Sequence, residues 1–272
     1  MQLATPNTDS HSVKINMSGS TMFTSNEVSF AEVISVELPD KTDSYQPLSN
    51  AAQINMVKSA FETRGFDLVR ERYGLSCKGK RMVSLMAWHH PDLLNKEMAL
   101  FSATLNSYDK STAAKTAFGG KLFVCENLHI SGEITCVRRH TLNVIGDFER
   151  LIEDGAERAI PMFLDLSGDM ELLKSIEIDQ RGGYQLLGQA HGLWGEKGAF
   201  LSPTQVNGAV RAWKKPLHES FEDRNLFSWY QACNEALKTS PSHDILQRHS
   251  ALHRFAMKIA NSVDSTLLIE QN

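Results

Sequence analysis

The sequence predicts an α+β fold, with an antiparallel, strand-rich first half and a mostly helical second half. Three observations predict it. Before residue 141, short β-favouring runs are separated by turn signals at hairpin spacing. After 141, apolar residues recur every three or four positions, as on one face of a helix. Strands and helices are therefore segregated along the chain rather than alternating.

In order, residues 1–25 are rich in Ser, Thr, Asn and Met without a sustained period, and read as a flexible tail. Residues 26–141 read as a strand-rich core, and 142–265 as a helical part packed on it, one domain overall. Val28, Phe30, Val33, Ile34, Val36 and Leu38 alternate enough to suggest a strand over 27–38, ended by Pro39-Asp40. Ser49 or Asn50 caps a helix with Ile54, Val57, Ala60 and Phe61 on its apolar face, and Gly65 closes it. FDLVRERYGLS and RMVSLMAW read as two strands joined by Cys77-Lys78-Gly79-Lys80, and MALFSATL as a third. Asn106-Ser107-Tyr108-Asp109 breaks the pattern. Ser107 or Asp109 would then cap a short Ala-rich helix over 110–118, stopped by Gly119-Gly120. KLFVCENL and ITCVRRHT follow as strands around the Ser131-Gly132 turn. Helical spacing returns with Leu142, Ile145, Phe148, Leu151 and Ile152, and again over 162–178 with a break at Ser167-Gly168-Asp169. Ser202-Pro203 opens a further helix; FEDRNLFSWYQACNEALK and residues 245–259 complete the set.

A chain of 272 residues with 42% hydrophobic residues can bury a substantial core. Its net charge of −4 argues against a broad basic field, though not against a local basic groove. Cys77, Cys125, Cys136 and Cys233 have no C-x-x-C spacing, which fits small buried hydrophobes in a reducing compartment. No apolar run approaches the roughly 18 residues of a spanning helix, and no secretory-signal pattern opens the chain. A cytoplasmic protein without membrane association is expected.

The densest basic cluster falls on the predicted hairpin: Arg70, Arg72, Lys78, Lys80 and Arg81, with Tyr73 and Trp88 close by. Lysines and arginines that follow a backbone, with rings on which bases stack, suit single-stranded nucleic acid. The competing account is a solvated face whose lysines suppress edge pairing. A second cluster would place Asn106, Ser107, Asp109 and Lys110 opposite Arg138 and Arg139, able to hold a phosphate. The competing account there is a helix cap beside solvated arginines. Trp213 with Arg211, Lys214 and Lys215 makes another basic-aromatic spot. The acids Asp147, Glu149, Glu153, Asp154, Glu157 and Asp165 read as a solvated helix face. His249 and His253 lie four apart but lack an evident third ligand. Neither G-x-G-x-x-G after a strand, P-loop spacing nor G-x-S-x-G occurs. No metal, cofactor or catalytic residue is assigned.

The runs NSYDKS (Asn106–Ser111), FVCEN (Phe123–Asn127) and RRHT, with the lead-in YQPLSNAAQ and FDLVRERYGL, resemble the phage- and plasmid-associated family catalogued as domain of unknown function 932. That family carries N-S-[HY]-D-[GK]-S and then F-V-C-[DET]-N, in this order. The likeness covers roughly residues 40 to 260, and Lys110 stands where many members have Gly. The resemblance implies a mobile-element setting and structural roles for Asn106, Ser107, Asp109 and Asn127, but no established activity.

Three readings result. The first is a non-enzymatic protein that binds nucleic acid, single-stranded by preference, in recombination or replication. Arg70, Arg72, Lys78, Lys80, Arg81, Lys110, Arg138 and Arg139 would contact phosphate, and Tyr73 or Trp88 would stack. The second is a protein that binds and blocks a host defence or restriction factor, alone or as an oligomer. The third, ranked last, is a metal-dependent nuclease using Asp109 with Glu126 or Glu133.

Overall fold

Four long runs of β-favouring residues pair in sequence order, because short connections leave antiparallel neighbours as the only economical arrangement. In the computed structural model, described over residues 27–93, 97–122, 127–132, 135–196, 198–241 and 244–270, these are β2 (Asp67–Ser76), β3 (Arg81–His89), β4 (Met98–Ser107) and β5 (Ala114–Leu122). β1 (Glu27–Val28) pairs with β2 at one edge of the sheet. At the other, β6 (Leu128–His129) and β7 (Thr135–Arg138) pair with opposite ends of β5. Helices α1 (Phe30–Ser35) and α2 (Asn50–Glu62) precede the long strands. After the sheet come α3 (Val144–Glu157), α4 (Ala159–Ser175), α5 (Gln180–Gly192), α6 (Pro203–Lys214), α7 (Leu226–Leu237) and α8 (Ile245–Glu270). The fold is α+β, with the strands in the first half and most of the helices in the second.

Both faces of the central strands are buried, which is why β3 and β4 read as nearly continuous apolar runs. On one face Met82, Met86, Trp88, Met98, Leu100 and Phe118 join Ile54, Val57 and Phe61 of α2. Phe148, Ile152, Phe163, Trp213 and Trp229 from the later helices belong to the same apolar cluster. On the other face Val83, Leu85, Phe101, Ala103, Leu105 and Ala117 cluster with Ile130, Ile245 and Leu246. A one-residue slip would exchange the two sets, so the packing fixes the register.

Several elements depart from the sequence reading. Residues 27–38 are not one strand: after the two residues of β1 the chain turns into α1, nucleated by a capping box. The Ser29 hydroxyl accepts the Glu32 N–H at 3.2 Å, and the Glu32 carboxylate accepts the Ser29 N–H at 2.7 Å. The expected helix over 110–118 is a turn followed by β5. Strand pairing overrides alanine's helix preference there, and the Thr104 and Thr116 hydroxyls lie 3.1 Å apart across β4 and β5. Gly119-Gly120 therefore ends no helix. At Gly120 a Cβ would stand 1.8 Å from Met98 Sδ, so the missing side chain makes room for the methionine. The Ser167-Gly168-Asp169 break is absent, and α4 runs through it.

Neither Tyr73 nor Trp88 is available to stack on a base, contrary to the sequence expectation. Trp88 is 2% exposed, its ring centroid lies 4.6 Å from that of Phe61, and its Nε1–H donates to Ser102 Oγ at 2.9 Å. Tyr73 is also buried and donates its hydroxyl to Glu71 at 2.5 Å. Trp213 is buried under α5, where it donates to the Gln180 carbonyl at 3.2 Å. Trp88→Ala is expected to cost about 3–5 kcal/mol of stability, as a large cavity does. A lowered urea midpoint checks it, and an unchanged midpoint would contradict a core role.

Candidate nucleic-acid interface

The end of the sheet that carries the basic residues is built on a buried polar knot. Asn106, the penultimate residue of β4, is 1% exposed. Its amide donates to the Leu48 carbonyl at 2.8 Å and to Asn50 Oδ1 at 2.9 Å, while its own Oδ1 accepts the Ser107 N–H at 2.9 Å. Tyr108 supplies the next tie, its hydroxyl accepting the Asn50 N–H at 2.8 Å. That N–H belongs to the first turn of α2, where no backbone partner exists, so the tyrosine satisfies an orphan donor. Ser49 caps the same helix through the Ala52 N–H at 3.0 Å. Gln53, one turn on, donates to the Leu105 and Lys115 carbonyls. The start of α2 is thus bound to β4 and β5 by side-chain amides.

The rest of the run shapes the turn. The Ser107 hydroxyl donates to the Thr112 carbonyl at 2.8 Å and accepts its N–H at 3.0 Å. Asp109 accepts the Ser111 N–H at 3.0 Å and Arg81 Nε–H at 2.8 Å. Burial by itself would raise the Asp109 carboxyl, but the bonds from Ser111 and Arg81 outweigh it and hold it below the usual range. Lys110 has a φ of 61°, the left-handed region that glycine adopts without strain. Its ammonium sits 4.4 Å from the Tyr45 ring centroid.

Register then decides which cations meet. Arg81 stands opposite Ser107, and Arg138 opposite Ala114. The β2–β3 turn with Lys78 and Lys80, the β4–β5 turn with Lys110, and the end of β7 with Arg138 and Arg139 consequently lie at the same end of the sheet. At roughly 4.8 Å per strand, the step from β3 to β7 is about 15 Å. Lys78, Lys80 and Arg139 are exposed. Arg81 is held by Asp109, and Arg138 by Asp147, which also accepts Arg150 NH2 at 2.6 Å. The bond from Arg138 is the main reason the Asp147 carboxyl lies below its ordinary value. On the adjoining loop Lys41 and Asp43, both exposed, offset each other.

Arg70 and Arg72 do not join this row. They lie inside β2, opposite Ala87 and Leu85, with Arg72 roughly 13 Å along the strand from its end at Ser76. Arg72 is 8% exposed and grips Glu27 with two 2.8 Å bonds, so it anchors the edge strand β1 and is not positioned as a phosphate contact. Asn127 is structural: it is buried and donates to Gln231 Oε1 of α7 at 2.9 Å. Glu126 and Glu133, the proposed partners of Asp109 in a nuclease, lie outside the described residues. Among the described residues no group of three or more His, Cys, Asp or Glu side chains is placed to share a metal ion. No described helix is long and apolar enough to cross a membrane. His249 and His253 are buried, His253 3.0 Å from Asp169 and His249 3.0 Å from Asn234.

The sequence reading does not single out Tyr45, Leu48 or His140 as part of this site. His140 is buried, accepts the Leu48 N–H at Nδ1 at 3.4 Å, and accepts the Gln46 N–H at its carbonyl at 3.1 Å. A histidine directly after a cationic strand end is the one signal that could have found it. No family model matches the chain, and no curated protein or solved structure does.

Two outcomes follow from the knot. Asn106→Ala leaves the Leu48 carbonyl and Asn50 without their donor, and should cost about 1–3 kcal/mol. The check is a lowered urea midpoint at unchanged slope. Burial also pushes the His140 imidazole below its ordinary value, so the folded state favours the neutral ring. Stability from that preference is complete above about pH 6.5 and is lost as pH falls through the lowered folded value. The melting temperature should drop as pH falls below about 6.5, and drop less in His140→Gln. An equal drop in both proteins would remove His140 from the account.

Proposed function

We propose that this chain binds single-stranded nucleic acid along the loop end of its sheet, acting in the cytoplasm in recombination or replication of a phage- or plasmid-like element. The mobile-element setting rests on the family resemblance of the NSYDKS and FVCEN runs. The observation that carries the binding reading is the convergence of Lys78, Lys80, Arg81, Lys110, Arg138 and Arg139 from three separate connections onto one end of one sheet. A solvated edge needs no such convergence. A polyanion whose phosphates repeat along a line does. The convergence also reconciles phosphate binding with a net charge of −4, because the cations are local.

The two paired arginines make the expected affinity moderate. A phosphate must replace Asp109 at Arg81 and Asp147 at Arg138, exchanging one charge-assisted bond for another. The gain then comes mainly from released counterions and from Lys78, Lys80, Lys110 and Arg139.

Fluorescence anisotropy with labelled single-stranded and duplex oligonucleotides, titrated in salt, tests the proposal. Binding should favour the single strand and weaken steeply with salt. Arg138→Ala with Arg139→Ala should reduce the slope of log affinity against log salt by about 1.4, at about 0.7 for each phosphate no longer neutralised. Unchanged affinity and slope in that variant would refute the assignment.

A further inference from the structure

The start of α3 carries two aliphatic side chains that the packing does not explain. The helical pattern of Leu142, Ile145, Phe148, Leu151 and Ile152 would place all of them against the core, yet the core takes Val144, Phe148 and Ile152. Leu142 stays 51% exposed and Ile145 45%. The usual way to cover a residue before an N-cap is a staple onto the fourth helical residue. Here the N-cap is Asn143 and the fourth helical residue is Asp147, which is taken up by Arg138 and Arg150, so Leu142 has no apolar partner to staple to. Leu142, Ile145, Asp147 and Arg150 line one shallow hollow of about 370 Å³. Asn143 and Gly146 complete its lining, and its one carboxylate, Asp147, pairs with both Arg138 and Arg150, the latter 78% exposed at the side chain.

We infer that this hollow receives an unstacked nucleobase of the bound strand, with Leu142 and Ile145 against the face of the base and Arg138 and Arg150 on the adjoining phosphates. The inference rests on the proposed function and names the surface that reads bases rather than backbone. Charge complementarity selects the occupant. Two guanidinium groups around one carboxylate leave a net positive charge that favours an anionic occupant, and a duplex presents phosphates but keeps its base faces stacked and inaccessible. A single strand offers both chemistries at the spacing of one nucleotide. Apolar side chains can take the place that aromatics occupy elsewhere, since bases stack against aliphatic as well as aromatic surfaces. In this protein the aromatics Tyr73 and Trp88 are committed to the core.

The test compares the full-length protein with a Leu142→Ser, Ile145→Ser variant on two probes of equal length: a single-stranded oligonucleotide, and one whose central nucleotides are abasic. Both residues are exposed, so the variant should keep the parent melting temperature. The expected result is about a tenfold loss on the normal oligonucleotide, an unchanged salt slope, and no difference between variant and parent on the abasic probe. Leu217→Ser, 67% exposed in the helical half, serves as the control and should bind like the parent. Equal loss on both probes, or no loss on either while the parent binds, overturns the base contact but leaves the phosphate row standing. A parent that binds no oligonucleotide overturns the proposed function, and this inference with it. Asp147→Asn gives a second readout. It frees two guanidinium groups while leaving Leu142 and Ile145 in place, and should tighten binding and steepen the salt slope; weaker binding would contradict the placement of phosphates at Arg138 and Arg150.

Discussion

The buried amide of Asn106 is the interaction on which the rest of this structure depends. It joins three pieces of chain that have no backbone reason to meet: the end of β4, the segment that leads into α2, and the first turn of α2 itself. Buried carbonyl and N–H groups at a helix start must find partners, because leaving one unmet costs as much as a hydrogen bond is worth. Asn106 and Tyr108 supply those partners from one turn. Once α2 is bound there, its apolar face meets Trp88 and Phe118 on the sheet, and the helical half packs over both. The same turn sets the height at which Lys110 emerges beside the β2–β3 loop.

Two of the acids at this end are already paired with arginines. Asp109 fastens Arg81 to the turn, and Asp147 fastens Arg138 to α3. Exposed ion pairs of this kind contribute little to stability. They hold Arg81 and Arg138 in fixed positions, and an incoming anion would have to displace the carboxylate to bond either guanidinium. An anion exchanging with Asp109 or Asp147 meets an ordered guanidinium rather than a mobile one.

Much of the fold is legible in the sequence, for physical reasons that differ from element to element. The β-favouring runs and turn spacing of β2, β3 and β4 identify the sheet, and Ser202-Pro203 marks the start of α6 because that pair suits a helix N-terminus. α1 escapes the sequence reading although its Ser29-x-x-Glu32 capping box is written there; apolar alternation over the same residues outweighs it. β5 reads as a helix because alanine and lysine favour helix in isolation, whereas its true cause is the pairing with β4, a long-range effect. The turn Asn106–Ser111 is visible as a polar break. That it also binds α2 cannot be read locally, since its partners lie more than fifty residues earlier. Burial of Tyr73 and Trp88 is likewise hidden: an aromatic beside basic residues in sequence can point to the opposite face of the strand. Arg72 and Lys78 look alike in sequence, and only the strand register separates an arginine that anchors β1 from a lysine on the exposed turn.

Nucleic acid bound at one end of one sheet would leave a footprint, and hydrogen exchange read peptide by peptide detects it most directly. With a saturating single-stranded oligonucleotide, amides of residues 77–81, 108–113 and 138–147 should exchange more slowly, while those of α5, α6 and α7 should not change. Protection confined to the helical half, with these three connections unaffected, would contradict the proposed interface.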